Sequence, residues 1–137
     1  MTATVKYTGD LRTVCTHIRS GNSIETDAPV DNHGKGERFS PTDLVATALA
    51  SCMVTTMGIA CNVHNINIDG VECDVEKIMA ADPRRISEIK VWMRFPNSGT
   101  YSEKEKTIIE KAALNCPVVQ SLHPDCKKTL EITWPNE

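Results

Sequence analysis

The sequence predicts an α+β fold built from antiparallel strands and two main helices. Three observations carry that expectation: alternating apolar residues near the N-terminus, a long uncharged stretch behind a helix-start signal, and a second alternating pair of segments leading into another capped helix. The 137 residues, 40% hydrophobic and 24% charged, fit one compact domain over 1–137 with no repeat and no linker.

Ala3, Val5 and Tyr7 alternate with polar neighbours, and Val14, Thr16 and Ile18 do the same, with turn signals at Gly9-Asp10 and Gly21-Asn22. This reads as an N-terminal antiparallel meander. From Asp27 to Phe39 the chain mixes Pro, Gly, Asn and charges without a period, which marks a loop and a candidate lid over a site.

Ser40, Pro41 and Asp43 then give a capping-box-like helix start, so a long central helix is expected over about 41–63. Leu44 to Val63 carries no charge and spreads apolar surface around its circumference, so the helix should be buried on nearly all sides. Its length approaches that of a membrane span, but Thr47, Ser51, Thr55 and Thr56 and the lack of flanking aromatic or basic anchors speak against the membrane. One chain of this size could hardly cover such a helix, so a homodimer with this helix at its centre is expected.

Val71, Cys73, Val75 and Met79, then Ile89, Val91, Met93 and Phe95, form a strand hairpin about the turn Asp82-Pro83-Arg84-Arg85. A second helix, about 102–115, opens on the capping box Ser102 to Glu105 and shows an apolar face at Ile108, Ile109, Ala112 and Ala113. Pro117 should stop it at Cys116 and let a short helix restart across Val118 to Leu122. Leu130, Ile132 and Trp134 alternate as a last strand.

Composition excludes some functions. With 15 Lys plus Arg against 18 Asp plus Glu, a net charge of -3 and only 4% aromatic residues, the chain lacks the basic surface and stacking platforms of a nucleic-acid binder. The polar N-terminus has no signal-peptide character, so a cytoplasmic, reducing location is expected for the six cysteines. No P-loop, G-x-G-x-x-G or G-x-S-x-G is present. A single C-x-x-H at Cys61 to His64 does not make a zinc site, and no metal or other cofactor is expected.

Cys15, Cys73 and Cys126 read as packed residues. Cys52 and Cys61 share the long helix but stand about 13 Å apart along it and roughly half a turn out of phase, so they cannot bond to each other. A partner for Cys52 must come from another element. Cys116 is a candidate, because as the N-cap of a restarting helix its sulfur would feel the positive end of the dipole. Cys52 lies among apolar residues that raise a thiol pKa, so a reactive thiol there needs a cation, for which Arg12 and Arg38 are the candidates. Val54, Met53 and Met57 could shape an apolar pocket, although core packing is their ordinary reading.

The stretches Ser40-Pro41-Thr42-Asp43-Leu44 and Ala48-Leu49-Ala50-Ser51-Cys52, with Asn115-Cys116-Pro117-Val118 after the second helix, resemble the OsmC/Ohr family of organic hydroperoxide reductases. The resemblance spans nearly the whole chain. It implies an OsmC-like fold, an intertwined homodimer, an organic hydroperoxide substrate, Cys52 as peroxidatic and Cys116 as resolving thiol, and a lipoyl-type dithiol or small thiol as reductant. The peroxidase branches of that family carry Asn-Pro-Glu where this chain has Ser40-Pro41-Thr42, so the carboxylate that would hold the activating arginine is absent there. Asp43 is adjacent but about 100° around the helix. Arg12 matches the Ohr-like location of the arginine, while the OsmC-like location falls near Asn32 and His33. The resemblance is thus to a divergent OsmC-like subfamily. Its alternative function is a module without peroxidase activity that binds small apolar or thiol-reactive ligands.

Overall fold

The computed structural model describes residues 1–136. In chain order they form β1 (Ala3–Gly9), β2 (Arg12–His17), β3 (Ser23–Asp27), one 3-10 turn (Val30–Asn32), α1 (Pro41–Val63), β4 (Glu72–Ala80), β5 (Arg85–Arg94), α2 (Glu103–Leu114), α3 (Pro117–Ser121) and β6 (Lys127–Thr133). The strands make two three-stranded sheets, β1-β2-β3 and β4-β5-β6, and the fold is α+β as expected. The chain divides into two compact units, residues 1–45 and residues 46 onward.

In the first unit both strand pairs are antiparallel. Their register sets Cys15 opposite Val5 and Ile24, and Val14 opposite Lys6 and Glu25. Side chains directly opposite share a face, so the apolar stripe of β2 runs through Cys15 and not, as the alternation suggested, through Val14. Arg12 and Asp27 lie on the other, charged face as register partners. The fully buried residues of this unit are Thr26, Asp27 and Ser40, all polar, while Val5, Tyr7 and Ile24 are 68%, 62% and 51% exposed. The loop after β3 is tied down at several points: Ala28 N–H donates to the Leu11 carbonyl, Gly34 N–H to that of Pro29, and Gly36 N–H to that of Ala28. A side chain on Gly34 would collide with the Ala28 carbonyl, so only glycine fits that approach.

The second unit holds the apolar core. Met53, Met57 and Cys61 of α1, Ile89, Val91 and Met93 of β5, and Ile109 and Ala113 of α2 pack into one cluster. β5 is the middle strand, hydrogen-bonded antiparallel to β4 and parallel to β6. That parallel pair departs from the antiparallel expectation for the strands. The chain leaves β5, crosses through α2 and α3 and re-enters in the same direction, which a crossover permits and a tight hairpin does not.

α1 begins where the sequence places it. Asp43 N–H donates to the Ser40 hydroxyl and Ser40 N–H to the Asp43 carboxylate, each at 3.0 Å, which closes the box at the helix start. Ala46, Leu49, Ala50, Met53, Met57 and Cys61 form its buried face at three- and four-residue spacing. Burial on nearly all sides is not reached within one chain: Ile59 and Val63, on the opposite side, are 64% and 76% exposed.

A candidate thiol site

Cys52 lies about three turns into α1, half-buried, with the Thr56 hydroxyl one turn further on at 3.9 Å from its sulfur. The neighbouring Thr55 uses its hydroxyl in the ordinary helical way, donating to the Ser51 carbonyl at 2.8 Å. Thr56 therefore differs in having a sulfur, and not a carbonyl, as its partner. When Cys52 is a thiolate only the hydroxyl can donate, so this contact favours the ionised form.

Cys116 is placed by local chain chemistry. α2 ends at Leu114, the Asn115 amide side chain donates back to the Lys111 carbonyl at 2.7 Å, and Pro117 opens α3. Cys116 is left as the extended N-cap residue of α3, fully buried, its sulfur accepting the Val119 N–H at 3.5 Å. This is the cap position its sequence context predicted.

The two sulfurs act on each other. Burial pushes the Cys52 thiol up, but hydrogen bonds with the Val118 amide, the Cys116 side chain and Thr56 outweigh it and leave Cys52 below the ordinary thiol range. No cation is among those groups. Cys116 moves the other way: burial raises it, the Val119 amide lowers it, and the neighbouring Cys52 raises it again. Both are free thiols. The pair thus combines a partly accessible, more acidic sulfur with a buried, less acidic one, the order that suits a nucleophile and the thiol that resolves its oxidised form.

The other cysteines differ in kind. Cys61 and Cys73 are raised above the ordinary thiol range, burial being the largest cause for each. Cys126 is buried, and Cys15 sits on the apolar sheet face. Among the described residues no group of three or more His, Cys, Asp or Glu is arranged to hold a metal ion.

The arginines form a separate constellation within the first unit. Arg12 donates Nε and Nη2 to the two carboxylate oxygens of Asp27 at 2.7 and 2.9 Å, with Glu25 and Glu37 each at 3.6 Å. The hydrogen bond with Asp27 raises the Arg12 guanidinium further, and the same bond holds the Asp27 carboxyl below its usual range against the cost of burial. Arg38 is exposed, donating to the Glu37 carbonyl at 3.0 Å with Glu25 at 4.0 Å. Asp43 is engaged at the helix start by the Ser40 N–H. Asp27 is the residue that sequence reasoning missed. The signal that could have found it is the strand register, which sets it opposite Arg12.

The sequence profile of OsmC-like proteins matches residues 34–131. The chain belongs to the OsmC-like protein family. No curated protein matches it, but solved structures do. A protein from Psychrobacter arcticus 273-4, proposed to be an osmotic stress induced and detoxification response protein, is 50% identical, with 97% of this chain and 96% of that one covered and a TM-score of 0.92. The organic hydroperoxide resistance protein OsmC of Legionella pneumophila is 18% identical over 97% of each chain, TM-score 0.76. An organic hydroperoxide resistance protein of Elizabethkingia anophelis is 17% identical over 97% of this chain and 96% of that one, TM-score 0.68. At these lower identities the similarity is one of fold. The OsmC-like fold and its α+β order are those expected from the sequence.

Proposed function

We propose that this OsmC-like protein reduces organic hydroperoxides through Cys52 and Cys116 as part of a stress response. The observation that carries the reading is the pairing of a Cys52 thiol lowered by hydrogen bonds with a buried, raised Cys116 thiol that interacts with it. The stress-response and hydroperoxide-resistance roles of the Psychrobacter, Legionella and Elizabethkingia proteins support it.

In the proposed cycle the Cys52 thiolate attacks the distal oxygen of ROOH. The O–O bond breaks, a proton is taken up, ROH leaves, and Cys52 becomes a sulfenic acid. The Cys116 sulfur then attacks that sulfur, its proton leaves with the hydroxyl as water, and a disulfide forms. An external dithiol, of lipoyl type or a small thiol in two steps, restores both cysteines and is itself oxidised to a disulfide. Arg12 is proposed as the cation that serves the Cys52 thiolate, with Arg38 as the second candidate.

The working form is proposed to be a cytoplasmic homodimer. A three-stranded sheet whose buried residues are all polar, with Val5, Tyr7 and Ile24 open to water, does not hold itself together. Covering that face and the exposed side of α1 with a second copy would supply the missing burial.

The test is consumption of cumene hydroperoxide with dithiothreitol by wild type and Cys52→Ser. Loss of turnover in the variant is expected, and equal rates would remove the peroxidase reading. One observation favours a second reading, a module that binds small apolar or thiol-reactive ligands: the groups acting on Cys52 include no cation. Equal rates in that assay would leave the binding module standing.

A further inference from the structure

Thr56 sits one turn after Cys52 on α1, and residues four apart on a helix share a face. Helical side chains lean toward the N-terminus, so that of Thr56 lies over the turn that carries Cys52. Its hydroxyl oxygen stands 3.9 Å from the Cys52 sulfur, and both residues are half-buried. The spacing is set inside one helix and needs nothing from the rest of the chain.

That distance is long for the sulfur and suits something added to it. Two oxygens joined by an O–H···O bond stand about 2.7 Å apart. An oxygen bonded to the Cys52 sulfur on the side of Thr56 therefore falls within reach of the hydroxyl, which the bare sulfur only borders. The hydroxyl is better matched to the sulfur while it takes up oxygen than to the resting thiolate. An interaction that strengthens on the way to the transition state is one that accelerates the step. Thr55 has no such freedom, because its hydroxyl is held by the Ser51 carbonyl at 2.8 Å.

We propose that Thr56 is a catalytic residue of the thiol site, its hydroxyl turning from the Cys52 sulfur to hydrogen-bond the distal oxygen of the hydroperoxide as that oxygen is transferred. This rests on the proposed peroxidase reading of Cys52. The thiolate electron pair forms the S–O bond, the O–O pair leaves on the proximal oxygen, and that oxygen takes a proton from solvent to become ROH. Thr56 donates a hydrogen bond and no proton, so it is unchanged at the end. Iodoacetamide draws on the same thiolate but brings a carbon to the sulfur, which cannot accept that hydrogen bond.

The experiment measures two rate constants at one pH: alkylation of Cys52 by iodoacetamide, and its oxidation by cumene hydroperoxide in a single turnover without reductant. Both are read on the Cys52 peptide by mass spectrometry for wild type, Thr56→Val, Thr56→Ala, Thr56→Ser and Thr55→Val, each checked for folding by circular dichroism. A change in thiolate population slows both reactions alike, so their ratio isolates the contact with oxygen. In Thr56→Val alkylation is expected to slow about threefold and oxidation about thirtyfold, so the ratio falls about tenfold, the scale of one hydrogen bond. Thr56→Ala should lower the ratio in the same way, and it carries the test if Thr56→Val does not fold. Thr56→Ser keeps the hydroxyl and should restore the ratio, and Thr55→Val should leave it in place. An unchanged ratio in a folded Thr56→Val or Thr56→Ala, or a ratio that stays low in Thr56→Ser, overturns the inference and leaves the reading of Cys52 intact. A wild-type Cys52 that hydroperoxide does not oxidise, with equal hydroperoxide consumption by Cys52→Ser, removes that reading, and the inference with it.

Discussion

The Cys116 side chain hydrogen-bonds with Cys52 and lowers its pKa, while Cys52 raises that of Cys116, although the two residues come from the middle of α1 and the cap of α3. Two reduced sulfurs that shift each other's ionisation are the natural pair to join on oxidation. One equivalent of hydroperoxide is therefore expected to give a Cys52 to Cys116 disulfide. Non-reducing peptide mapping should find that link in wild type, and trapping with dimedone should find a persistent sulfenic acid at Cys52 in Cys116→Ser. A peroxide-induced disulfide between other cysteines would break the assignment.

Because Cys52 is lowered, its reactive thiolate is populated below the pH at which an ordinary thiol ionises, and it disappears as pH falls further. Peroxide reduction at saturating reductant should rise with pH through a midpoint below the ordinary thiol range. Cys116 is raised, first by burial and further by Cys52, so in wild type the alkylation of the Cys116 peptide should rise only above that range. A shared midpoint for the two would contradict the order in which they are proposed to act.

Thr56 offers a milder test of the same sulfur. Removing its hydroxyl while keeping its shape, as Thr56→Val does, deletes one of the contacts that favour the thiolate. Cys52 alkylation at neutral pH should slow about threefold, the effect of one weak hydrogen bond. Thr55→Val, whose hydroxyl bonds only to the Ser51 carbonyl in the same helix, should leave that rate near wild type. Equal effects from the two variants would mean that the loss is helical and not local to the sulfur.

What could be read from the sequence was what local chemistry decides. Ser40 with Asp43 and Ser102 with Glu105 start helices wherever the rest of the chain lies, and Pro117 leaves Cys116 as a cap for the same reason. What could not be read depends on register and on who covers whom. Thr13, Val14, Cys15 and Thr16 are all acceptable strand residues, so their pattern does not say which face is apolar until β1 and β3 are set beside them. The grip of Asp27 on Arg12 follows from that register. The direction of β6 was hidden likewise, since an alternating strand reads the same in a parallel or an antiparallel pair.

Asp27 carries a pH consequence of its own. Its carboxyl is held below the usual range chiefly by the hydrogen bond from Arg12, so the folded state binds its proton more weakly than the unfolded chain does. The stabilisation is then fully present above the ordinary carboxyl pKa and is lost as pH falls below it. Thermal unfolding followed from neutral pH downward should show wild type losing part of its advantage over Asp27→Asn only in that acid window. Curves that stay parallel throughout would show that the carboxylate adds no pH-linked stability.

The exposed side of α1 decides whether the protein works as one copy or two. Ile59 and Val63 contribute little to the core of a single chain, and a charge at such a position in a monomer should change stability by less than about 0.5 kcal/mol. If a second copy covers that side, Ile59→Glu buries an unpaired carboxylate at the interface, and the association should fail because the charge cannot be left without a partner in an apolar contact. Sedimentation equilibrium should then give about twice the chain mass for wild type and the single-chain mass for Ile59→Glu. The variant should also become more sensitive to proteolysis across β1 to β3, whose apolar face has no cover of its own. Wild type sedimenting as a single chain, or a variant that keeps the doubled mass, would mean that this side of α1 is simply wet, and the exposed sheet face would need another explanation.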